Sequence, residues 1–592
     1  MRELNARFSP ASRVRQTLKS AAKAAAVVTA LAAVVAPASA QIIAESQRHH
    51  PVAADRHMVV SQEAQASLVG REILRNGGNA VDAAVAVGFA LAVTLPRAGN
   101  IGGGGFMVVH LADTGESIAI DYRETAPAAS DRDMFLDESG EASSQKSRFS
   151  GLAVGVPGTV AGLALAHERY GSGTFSLAEL LAPGIALARD GFTVSPALAG
   201  ALRSTRIRER LSADPEARRM FYRDGEPPAA GETLTLPQLA ATLGRIADNG
   251  PAGFYEGVTA DAIVKTVDSA GGRMTLDDLK DYTPVIREPV TGDFQGYDVI
   301  SMPPPSSGGI HLVQMLNILE ATPFENHGLN SAAMIHAMAE AAKRAYADRA
   351  VYLGDPDFVE IPIKPLTSKE YATAIRAAIA DDRATPSSEI AADPGTLPAE
   401  SNETTHYSVV DADGNAVSNT YTLNFSFGVG FAAEGTGVLL NNELDDFSAK
   451  PGVPNAYGLI GGDANAVAPR KRPLSSMTPT IVLKDGVPVL VTGSPGGSRI
   501  ITTTMQIILN ALAHQRDIMT ATAAPRIHHQ WLPDYIRVEE GISPDTIRLL
   551  EEKGHDVRIE RAMGATQSIR IDDGKLYGAS DPRRPGGLAV GD

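Results

Sequence analysis

Apolar residues recur with a helical period up to about residue 380 and with a strand period after about residue 404. Residues 60–96 predict two helices, separated by the Asn-Gly-Gly-Asn sequence of Asn76–Asn79. The second helix, Ala80–Thr94, is apolar nearly all round, which is typical of a helix buried on every side. Helical patterns therefore dominate the first part of the chain and strand patterns the last.

The segment Ala380–Glu403 separates the two patterns. It is rich in Ala, Asp, Pro, Ser and Glu and lacks aromatic residues, which is typical of a mobile surface segment. After it, Asp413-Gly414, Asp485-Gly486 and Asp573-Gly574 predict three hairpins, because an Asp-Gly pair readily forms the tight turn that a hairpin needs. Residues 105–122 predict a fourth hairpin, earlier in the chain.

The first Asp-Gly hairpin predicts what lies beside Thr404. If Asp411 pairs with Ala416, Thr404 comes opposite Leu423 and next to Thr422 and Asn424. Hydroxyl and amide groups are thereby gathered at the open end of a hairpin, where strand pairing stops. This neighbourhood is a candidate site.

The second Asp-Gly hairpin predicts another such neighbourhood. If Lys484 pairs with Val487, the serines Ser475–Ser476 lie beside the glycines Gly496–Gly497. The glycines precede an apolar helical run, so their N–H groups are candidates for binding an oxyanion. Paired glycines also make tight turns without any further role, and the pattern alone leaves both interpretations open. The hairpin over 105–122 predicts that Arg123 lies near the glycines Gly103–Gly105, at the start of the first strand of that hairpin.

Composition narrows the chemistry. The chain has 592 residues, a formal net charge of −16 and no cysteine. The acidic balance disfavours nucleic-acid binding through a basic surface. The absence of cysteine excludes disulfides, thiolate metal sites and a cysteine nucleophile. A covalent catalyst would have to use Ser, Thr, Lys or a carboxylate.

The first forty residues have the pattern of an export signal. Six basic residues precede the apolar run Ala24–Val35, and Ala38-Ser39-Ala40 supplies a small-residue cleavage site. The alternative, a membrane anchor, needs about 20 apolar residues to cross the bilayer. We therefore expect a signal peptide over residues 1–40, cleavage after Ala40 and a periplasmic protein.

Five motifs, in chain order, resemble those of the gamma-glutamyltranspeptidases. They are Asp121-Tyr122-Arg123-Glu124-Thr125-Ala126-Pro127, Glu403-Thr404-Thr405-His406-Tyr407-Ser408, Asp445-Asp446-Phe447-Ser448, Pro473-Leu474-Ser475-Ser476-Met477 and Gly493-Ser494-Pro495-Gly496-Gly497-Ser498. The resemblance covers essentially the whole chain after the signal peptide. Because the motifs are long and ordered, chance is a poor explanation for them.

The resemblance implies a fold and a maturation step. The expected fold is α+β, an N-terminal-nucleophile hydrolase built as a four-layer αββα sandwich. The chain would cut itself between Glu403 and Thr404 into a large subunit, 41–403, and a small catalytic subunit, 404–592, which form one intertwined domain. Segment 449–473 resembles the loop that covers the pocket as a lid.

The resemblance also implies catalytic roles. Thr404 would be both the new N-terminus and the nucleophile, with Thr422 orienting its hydroxyl. The freed α-amino group, whose unperturbed pKa is about 7.7–8.0, would serve as the base. Gly496 and Gly497 would supply oxyanion N–H groups. Because nucleophile and base share one residue, no histidine partner is needed.

The substrate-binding residues that the resemblance implies recognise the free amino-acid end of a γ-glutamyl donor. Arg123 would pair with the α-carboxylate, since a guanidinium can bind a carboxylate through two parallel bonds. Ser475 and Ser476 would help Arg123 to bind this carboxylate. The α-ammonium would be received by Asn424, Glu443 and Asp446. We further expect Tyr457 of the lid loop to close onto Asn424.

The implied reaction transfers the γ-glutamyl group of glutathione or a related compound to Thr404, then to water, an amino acid or a dipeptide. It requires no metal and no organic cofactor. One alternative is a cephalosporin or glutaryl amide acylase on the same scaffold. Another is an inert periplasmic binding protein, which would stay as one uncut chain.

Overall fold

The computed structural model describes residues 50–390 and 404–592. The predicted signal peptide and Glu403, on the acyl side of the expected cut, lie outside these residues. Within them, no helix combines the length and the hydropathy that crossing a membrane would require.

Two seven-stranded sheets form the centre of the molecule. The strand order of sheet A is β1 (Val52–Ala54), β20 (Lys575–Ser580), β19 (Gln567–Asp572), β15 (Val487–Thr492), β14 (Thr480–Lys484), β9 (Tyr297–Ser301) and β8 (Val290–Phe294). That of sheet B is β21 (Leu588–Gly591), β2 (Met58–Ser61), β10 (Thr405–Val410), β11 (Ala416–Thr422), β3 (Gly104–His110), β4 (Ser117–Tyr122) and β7 (Val285–Arg287). The short strands outside them are β5 (Phe192–Thr193), β6 (Thr233–Leu234), β12 (Ala432–Ala433), β13 (Val438–Leu439), β16 (Ile527–His528), β17 (Ile536–Glu539) and β18 (Val557–Glu560).

Helices cover the outer face of each sheet. Those before the described gap are α1 (Ala64–Arg75), α2 (Ala80–Thr94), α3 (Ser144–Phe149), α4 (Thr159–Tyr170), α5 (Leu177–Asp190), α6 (Pro196–Arg203), α7 (Thr205–Ala213), α8 (Pro215–Phe221), α9 (Pro237–Asn249), α10 (Ala252–Tyr255), α11 (Gly257–Ser269), α12 (Leu276–Lys280), α13 (Gly308–Leu319), α14 (Ala332–Tyr352), α15 (Ile363–Leu366), α16 (Lys369–Ala377) and α17 (Ser387–Ile390). After it come α18 (Arg499–Ile508), α19 (Ile518–Ala523) and α20 (Pro544–Glu552).

The side chains of β3 show how the layers are stacked. Phe106 and Val108 point between the two sheets, into a core shared with strands of sheet A. Met107 and Val109 point the other way, into the core that sheet B forms with helices such as α2. Alternate residues of a strand face opposite sides, so one strand contributes to two cores. With a third core between sheet A and helices α13, α14 and α18, the predicted four-layer αββα sandwich is confirmed.

The buried helix α2 illustrates why the local sequence folds as predicted. All of its residues, Ala80–Thr94, are buried, in agreement with the apolar pattern. Its start is fixed by a capping box, in which the Asn79 side chain accepts from the Asp82 N–H and the Asp82 carboxylate accepts from the Asn79 N–H. Reciprocal caps of this kind satisfy two donors that helix formation leaves unpaired.

Strands from either side of the expected cut alternate in sheet B. The strands β10 and β11, which follow residue 404, lie between β2 and β3, which precede it. Val410 pairs with Met58, and Ala416 pairs with His110. The centre of this sheet therefore cannot form from either part of the chain alone.

The register predicted for the first Asp-Gly hairpin is wrong by one residue. Ala416 pairs with Val410 rather than with Asp411. The Asp411 carboxylate instead closes the turn, accepting from the N–H groups of Asp413 at 3.0 Å and Asn415 at 2.9 Å. A side chain committed to the turn lengthens the loop and shortens the strand pair.

The second Asp-Gly hairpin has the predicted pairing at its turn, Lys484 with Val487. A bulge between Val482 and Leu483 then shifts the register by one, so that Thr480 pairs with Thr492. The third Asp-Gly hairpin and the hairpin over 105–122 form as predicted, as β19–β20 and β3–β4.

The described part of the segment predicted to be mobile, residues 380–390, hydrogen-bonds to the region around Trp531. The Ser387 hydroxyl donates to the carbonyl of Trp531 at 2.6 Å, and the Trp531 ring N–H donates to the carbonyl of Ser387 at 3.0 Å. The Ser387 N–H also donates to Asp534 at 2.8 Å. Ser387 is thus bonded to the chain around Trp531, the one tryptophan of the sequence.

Candidate active site

Thr404 lies at the end of sheet B where the central strands stop. It directly precedes β10 and is 6% exposed. Thr405 pairs with Tyr421, so continuing the ladder by one residue brings Thr404 level with Thr422. The corrected register therefore sets Thr422 beside Thr404 more directly than the predicted one did.

The chain beyond Thr422 is held in an unusual backbone conformation. Asn424 has a φ of 71°, in the left-handed region that few residues other than glycine adopt. The Thr422 hydroxyl oxygen accepts from the Asn424 N–H at 2.9 Å, and the Asn424 amide donates to the carbonyl of Asn442 at 2.9 Å. These bonds hold the Asn424 side chain at the strand end, next to Thr404.

Arg123 follows β4 and is completely buried. Its two terminal nitrogens donate to the carboxylates of Glu443 and Asp446, and its Nε donates to the carbonyl of Pro473 at 3.2 Å. The structure thus brings Arg123, Glu443 and Asp446 together as a planar guanidinium flanked by two acids. The site therefore holds one positive group beside two negative groups, and a zwitterionic ligand would need groups of both signs to bind.

A third carboxylate, that of Glu124, lies behind this group and was not predicted as part of the site. It is 3.9 Å from Arg123, and no described residue hydrogen-bonds to either of its oxygens. Burial raises the pKa of Glu124 to about 8, against the lowering influence of Arg123. Burial likewise raises the pKa values of Glu443 and Asp446, with Arg123 opposing the shift.

The charges explain these directions. Three buried carboxylates surround the Arg123 guanidinium, so full ionisation would place three negative charges against its one positive charge in a low dielectric, an excess that Arg349 at the same cavity offsets only in part. A proton on one of these carboxylates relieves this excess, and the raised pKa values of Glu443 and of Glu124, to whose oxygens no described residue donates a hydrogen bond, favour these two groups. The position of Glu124 next to Arg123 in the sequence was the only signal that could have pointed to it.

Ser475 and Ser476 are held by the proline- and serine-rich loop before α13. The Ser475 N–H donates to the carbonyl of Pro305 at 2.8 Å, and the Ser307 hydroxyl donates to the carbonyl of Ser475 at 2.8 Å. The Ser306 hydroxyl donates to the carbonyl of Met477 at 2.6 Å. These serines of the loop therefore position the segment before β14 that carries Ser475 and Ser476.

Arg349 of α14 is a second buried guanidinium at the site, and sequence reasoning missed it. Its Nε donates to the Ser307 hydroxyl at 3.0 Å and its Nη2 to the Ser476 hydroxyl at 3.3 Å. Burial lowers the pKa of Arg349 to about 10. No local motif marks this arginine, because its partners lie in distant parts of the chain.

The glycines predicted to bind an oxyanion lie just before α18. Gly496 and Gly497 have φ values of 139° and 59°. A Cβ added at Gly497 would come within 2.4 Å of the Tyr457 ring, so this glycine is needed for close packing as well as for its backbone. Gly497 lines the cavity at Thr404, whereas Gly496 does not belong to its lining.

Tyr457 belongs to the predicted lid loop, 449–473, whose described secondary structure is a single short turn of helix, Asp463–Asn465. The Tyr457 hydroxyl donates to the side-chain oxygen of Asn424 and lies 3.1 Å from the carbonyl oxygen of the same residue. Its ring packs against Phe425 and Gly497. The loop is therefore tied to both sides of the cavity.

Apart from Gly496 and the undescribed Glu403, the predicted site residues line one cavity of about 20 Å³. It is lined by Arg123, Arg349, Thr404, Thr422, Asn424, Glu443, Asp446, Tyr457, Leu459, Leu474, Ser475, Ser476, Met477, Gly497, Ser498 and Ile500. A volume of this size holds about one water molecule. The side chains are thus folded onto one another, and a larger ligand would have to displace the lid and separate the ion pairs.

A threonine at the start of a central strand of an αββα sandwich, beside a glycine turn that precedes a helix, is the arrangement of the N-terminal-nucleophile hydrolases. A solved cephalosporin acylase from Bacillus halodurans has this architecture and superimposes with a TM-score of 0.80. It is 27% identical in sequence, and the match covers 94% of this chain and 99% of the acylase.

The gamma-glutamyltranspeptidase family model matches residues 66–591, and the chain belongs to that family. The glutathione hydrolase proenzyme of Escherichia coli (strain K12) is 56% identical over 549 residues, which cover 92% of this chain and 94% of that protein. The glutathione hydrolase proenzyme of Pseudomonas sp. (strain A14) is 48% identical, over 91% of this chain and 95% of that protein. The resemblance seen in the motifs is confirmed.

Proposed function

We propose that this chain is a glutathione hydrolase and γ-glutamyltransferase, made as a precursor that cuts itself between Glu403 and Thr404. The observation that carries this is that Thr404 lines the same cavity as Arg123, Glu443 and Asp446. A potential nucleophile there adjoins groups that complement both charges of an amino acid. Such a constellation suits a donor whose free α-carboxylate and α-ammonium identify it as γ-glutamyl.

The maturation step uses the Thr404 hydroxyl against the preceding carbonyl. Attack on the Glu403 carbonyl carbon forms an ester and releases the Thr404 nitrogen, and water then cleaves the ester. The products are the large subunit, 41–403, and the small subunit, 404–592. Strands of both parts alternate in sheet B, which supports a heterodimer held by packing, as the absence of cysteine requires.

The catalytic cycle repeats this chemistry on a γ-glutamyl amide. The Thr404 hydroxyl attacks the γ-carbonyl carbon while its own α-amine takes the proton. The tetrahedral intermediate collapses as the amine leaving group accepts that proton, and a γ-glutamyl ester remains on Thr404. Thr422 orients the hydroxyl, and N–H groups at Gly496 and Gly497 stabilise the oxyanion, where one such donor is typically worth about 2.7–4 kcal/mol.

The donor's head group enters by exchanging partners with the resident ion pairs. Its α-carboxylate takes the guanidinium of Arg123, helped by the hydroxyls of Ser475 and Ser476. Its α-ammonium takes the carboxylates of Glu443 and Asp446, with Asn424 as a further acceptor. Because the ligand supplies one charge of each sign, the buried charge balance is preserved, which limits the desolvation cost of binding.

The second half of the cycle passes the γ-glutamyl group to water, an amino acid or a dipeptide. Transfer to water gives glutamate, and transfer to an amine gives a new γ-glutamyl compound. The basic and apolar pattern of residues 1–40 supports export to the periplasm after removal of the signal peptide. Amines and peptides of that compartment would be the acceptors.

The solved cephalosporin acylase makes amide acylase activity the second candidate. An enzyme with that acylase activity would use a donor that lacks an α-ammonium group. The two buried acids beside Arg123 favour a donor that carries one. Hydrolysis of γ-glutamyl-p-nitroanilide should therefore far exceed that of glutaryl-p-nitroanilide, which lacks only the ammonium. Equal rates would favour the acylase.

The decisive experiment joins maturation to activity. Purified wild-type protein should give two bands on a denaturing gel and release glutamate from glutathione, and added glycylglycine should divert part of the γ-glutamyl groups from glutamate into γ-glutamyl-glycylglycine. A chain that stays whole and releases no glutamate would refute the proposal and leave the inert binding protein as the better explanation.

A further inference from the structure

Arg349 is a buried guanidinium to which the proposed reaction assigns no role. It lies on α14, is 4% exposed, and lines the cavity that Thr404 shares with Arg123, which we call the head-group cavity. Thr404 also lines a second cavity, of about 20 Å³, whose wall does not include Arg349. Arg349 therefore belongs to the side of Thr404 on which the γ-glutamyl head group would bind.

The two guanidinium groups of this cavity differ in their partners. Arg123 donates to the carboxylates of Glu443 and Asp446. No carboxylate of the described residues forms an ion pair with Arg349, and Asp446 acts on it only from a longer distance. Burial lowers the pKa of Arg349 to about 10, so the group stays protonated at neutral pH. Arg349 is therefore the positive group of this cavity whose hydrogen-bond partners are neutral.

The hydrogen bonds of Arg349 fix the direction of two hydroxyl groups. Its Nε donates to the Ser307 hydroxyl oxygen at 3.0 Å, and its Nη2 donates to the Ser476 hydroxyl oxygen at 3.3 Å. A guanidinium has only donors, so each hydroxyl must accept from it and direct its own O–H to another group. The O–H of Ser307 donates to the carbonyl of Ser475 at 2.8 Å.

The O–H of Ser476 is left to donate to a group in the cavity. Among the described residues, the only hydrogen bond of this hydroxyl is the one that it accepts from Arg349. Ser475 is similar, because its hydroxyl oxygen accepts from the Met477 N–H at 3.1 Å and donates to no described residue. Both serines line the head-group cavity. Two O–H donors beside a guanidinium suit an anion, which accepts hydrogen bonds from all three.

We propose that Arg349 is a positioning residue for the α-carboxylate of the γ-glutamyl donor, on which it acts through the Ser476 hydroxyl. The inference rests on the proposed function and adds a second guanidinium to the recognition of that carboxylate. Arg123 has to exchange its own acids for the ligand, whereas Arg349 has no ion pair to break. Because Arg349 already directs the Ser476 O–H away from itself, binding requires no reorientation of that hydroxyl.

Two donors that differ in one group provide the first test. 4-Aminobutyryl-p-nitroanilide lacks only the α-carboxylate of γ-glutamyl-p-nitroanilide and keeps the ammonium. In Arg349→Gln, kcat/KM for the γ-glutamyl donor should fall about tenfold, mainly through KM, because hydrogen bonding to a charged group is weakened in the ground state and the transition state alike. For the 4-aminobutyryl donor, kcat/KM should change less than twofold. Equal losses for both donors would show a purely structural role and overturn the proposal.

A double-mutant cycle tests the route through Ser476. Ser476→Ala should by itself lower kcat/KM for the γ-glutamyl donor about tenfold, because the donor's carboxylate loses a hydrogen bond. If Arg349 acts through that hydroxyl, adding Arg349→Gln to Ser476→Ala should lower kcat/KM by less than a further factor of about three. Two losses that multiply in full would mean that Arg349 does not act through Ser476, and would overturn the proposal.

Arg344→Gln is the matched control for the loss of a charge on α14. The Arg344 side chain is 10% exposed, but it pairs with Glu340 and does not line the head-group cavity. This variant should keep the wild-type ratio of the two kcat/KM values. A ratio that falls as far as in Arg349→Gln would mean that losing either arginine of the helix is enough, and the assignment to Arg349 would be wrong.

Maturation is followed on the same samples with a denaturing gel. If Arg349→Gln stays uncut, Arg349→Lys replaces it, since lysine keeps the charge but lacks the planar fork. A reduced preference for the γ-glutamyl donor in that variant would support the proposal, and an unchanged preference would overturn it. If neither variant matures, Arg349 serves folding or self-cleavage and the proposal is wrong. Failure of the proposed function is distinct, because the wild type would then hydrolyse neither donor.

Discussion

The Tyr457 hydroxyl donates a hydrogen bond to the side-chain oxygen of Asn424, and this bond joins the loop over the cavity to the strand end beside Thr404. Tyr457 is 4% exposed, and its ring lies against Phe425 and Gly497. One phenol thus connects the predicted lid, the predicted oxyanion glycines and the predicted ammonium-binding amide. Several of the expected effects below depend on this contact.

Removing the Tyr457 hydroxyl should loosen the lid without removing its ring. In Tyr457→Phe we expect donor KM to rise about fivefold to tenfold, which corresponds to a typical hydrogen bond of about 1–1.5 kcal/mol. Tyr457→Ala, which also removes the ring, should have a larger effect. Steady-state kinetics with γ-glutamyl-p-nitroanilide measure both. Tyr352→Phe, at an exposed tyrosine, is the control, and donor KM unchanged in both Tyr457 variants would contradict the lid role.

Substituting the proposed nucleophile should block maturation. Thr404→Ala has no hydroxyl to attack the preceding carbonyl, so a denaturing gel should show one band and no glutamate should be released. Thr405→Val is a strict control, since the neighbouring Thr405 hydroxyl is buried without a hydrogen-bond partner among the described residues. That variant should mature into two bands. Two bands from Thr404→Ala would place the cut or the nucleophile elsewhere.

Gly497 should tolerate no side chain, for two separable reasons. Gly497→Ala combines a φ of 59° with a Cβ 2.4 Å from the Tyr457 ring. The left-handed backbone alone costs about 1–2 kcal/mol for a residue with a Cβ. Gly486→Ala isolates that cost, because Gly486 has a φ of 79° and nothing within 4 Å of its added Cβ.

Both glycine variants should therefore lose stability in urea titrations, and Gly497→Ala should lose more than Gly486→Ala because its Cβ also meets the Tyr457 ring. Only Gly497→Ala should also lower kcat/KM, by tenfold or more, because it displaces Tyr457 and the neighbouring N–H groups. Equal kcat/KM in the two variants would show that the space at Gly497 is irrelevant to catalysis.

Glu124 should make the protein less stable as the pH rises. Its folded pKa of about 8 lies above the ordinary value of 4.5. The folded state therefore keeps a proton that the unfolded state loses, and stability falls with pH between those two values, by at most about 1.4 kcal/mol per pH unit. Below pH 4.5 the group is protonated in both states, and this contribution to the pH dependence disappears.

Replacing Glu124 with glutamine should flatten that dependence. We expect the Tm of Glu124→Gln, relative to wild type, to rise between pH 5 and pH 8, as measured by thermal unfolding of the mature protein. Glu138→Gln, at an exposed glutamate, should follow the wild-type curve. Parallel curves for Glu124→Gln and wild type would mean that Glu124 is ionised in the folded protein.

Features that depend on neighbouring residues could be predicted from the sequence. The buried helix over Ala80–Thr94 follows from its continuous apolar pattern, and four hairpins follow from their turn residues. The two errors in the predicted hairpin registers also have causes that are local in the chain. The first hairpin moved by one residue because the Asp411 carboxylate entered the turn, and the second moved because of a bulge at Val482. Neither a side-chain cap nor a bulge can be recognised from the periodicity of apolar residues along the chain.

The sequence by itself determined that a threonine opens a strand within a family motif, that the family is the gamma-glutamyltranspeptidases, and that no cysteine chemistry is involved. Only the tertiary structure decided that Arg349 reaches Ser476 across 127 residues, that no described residue hydrogen-bonds to the Glu124 carboxylate, and that Thr404 lines two cavities. The reason is that burial and charge balance arise from groups brought together by sheet packing. Periodicity and motifs report which residues are neighbours along the chain, whereas a pKa or a cavity depends on all the residues that surround it in space.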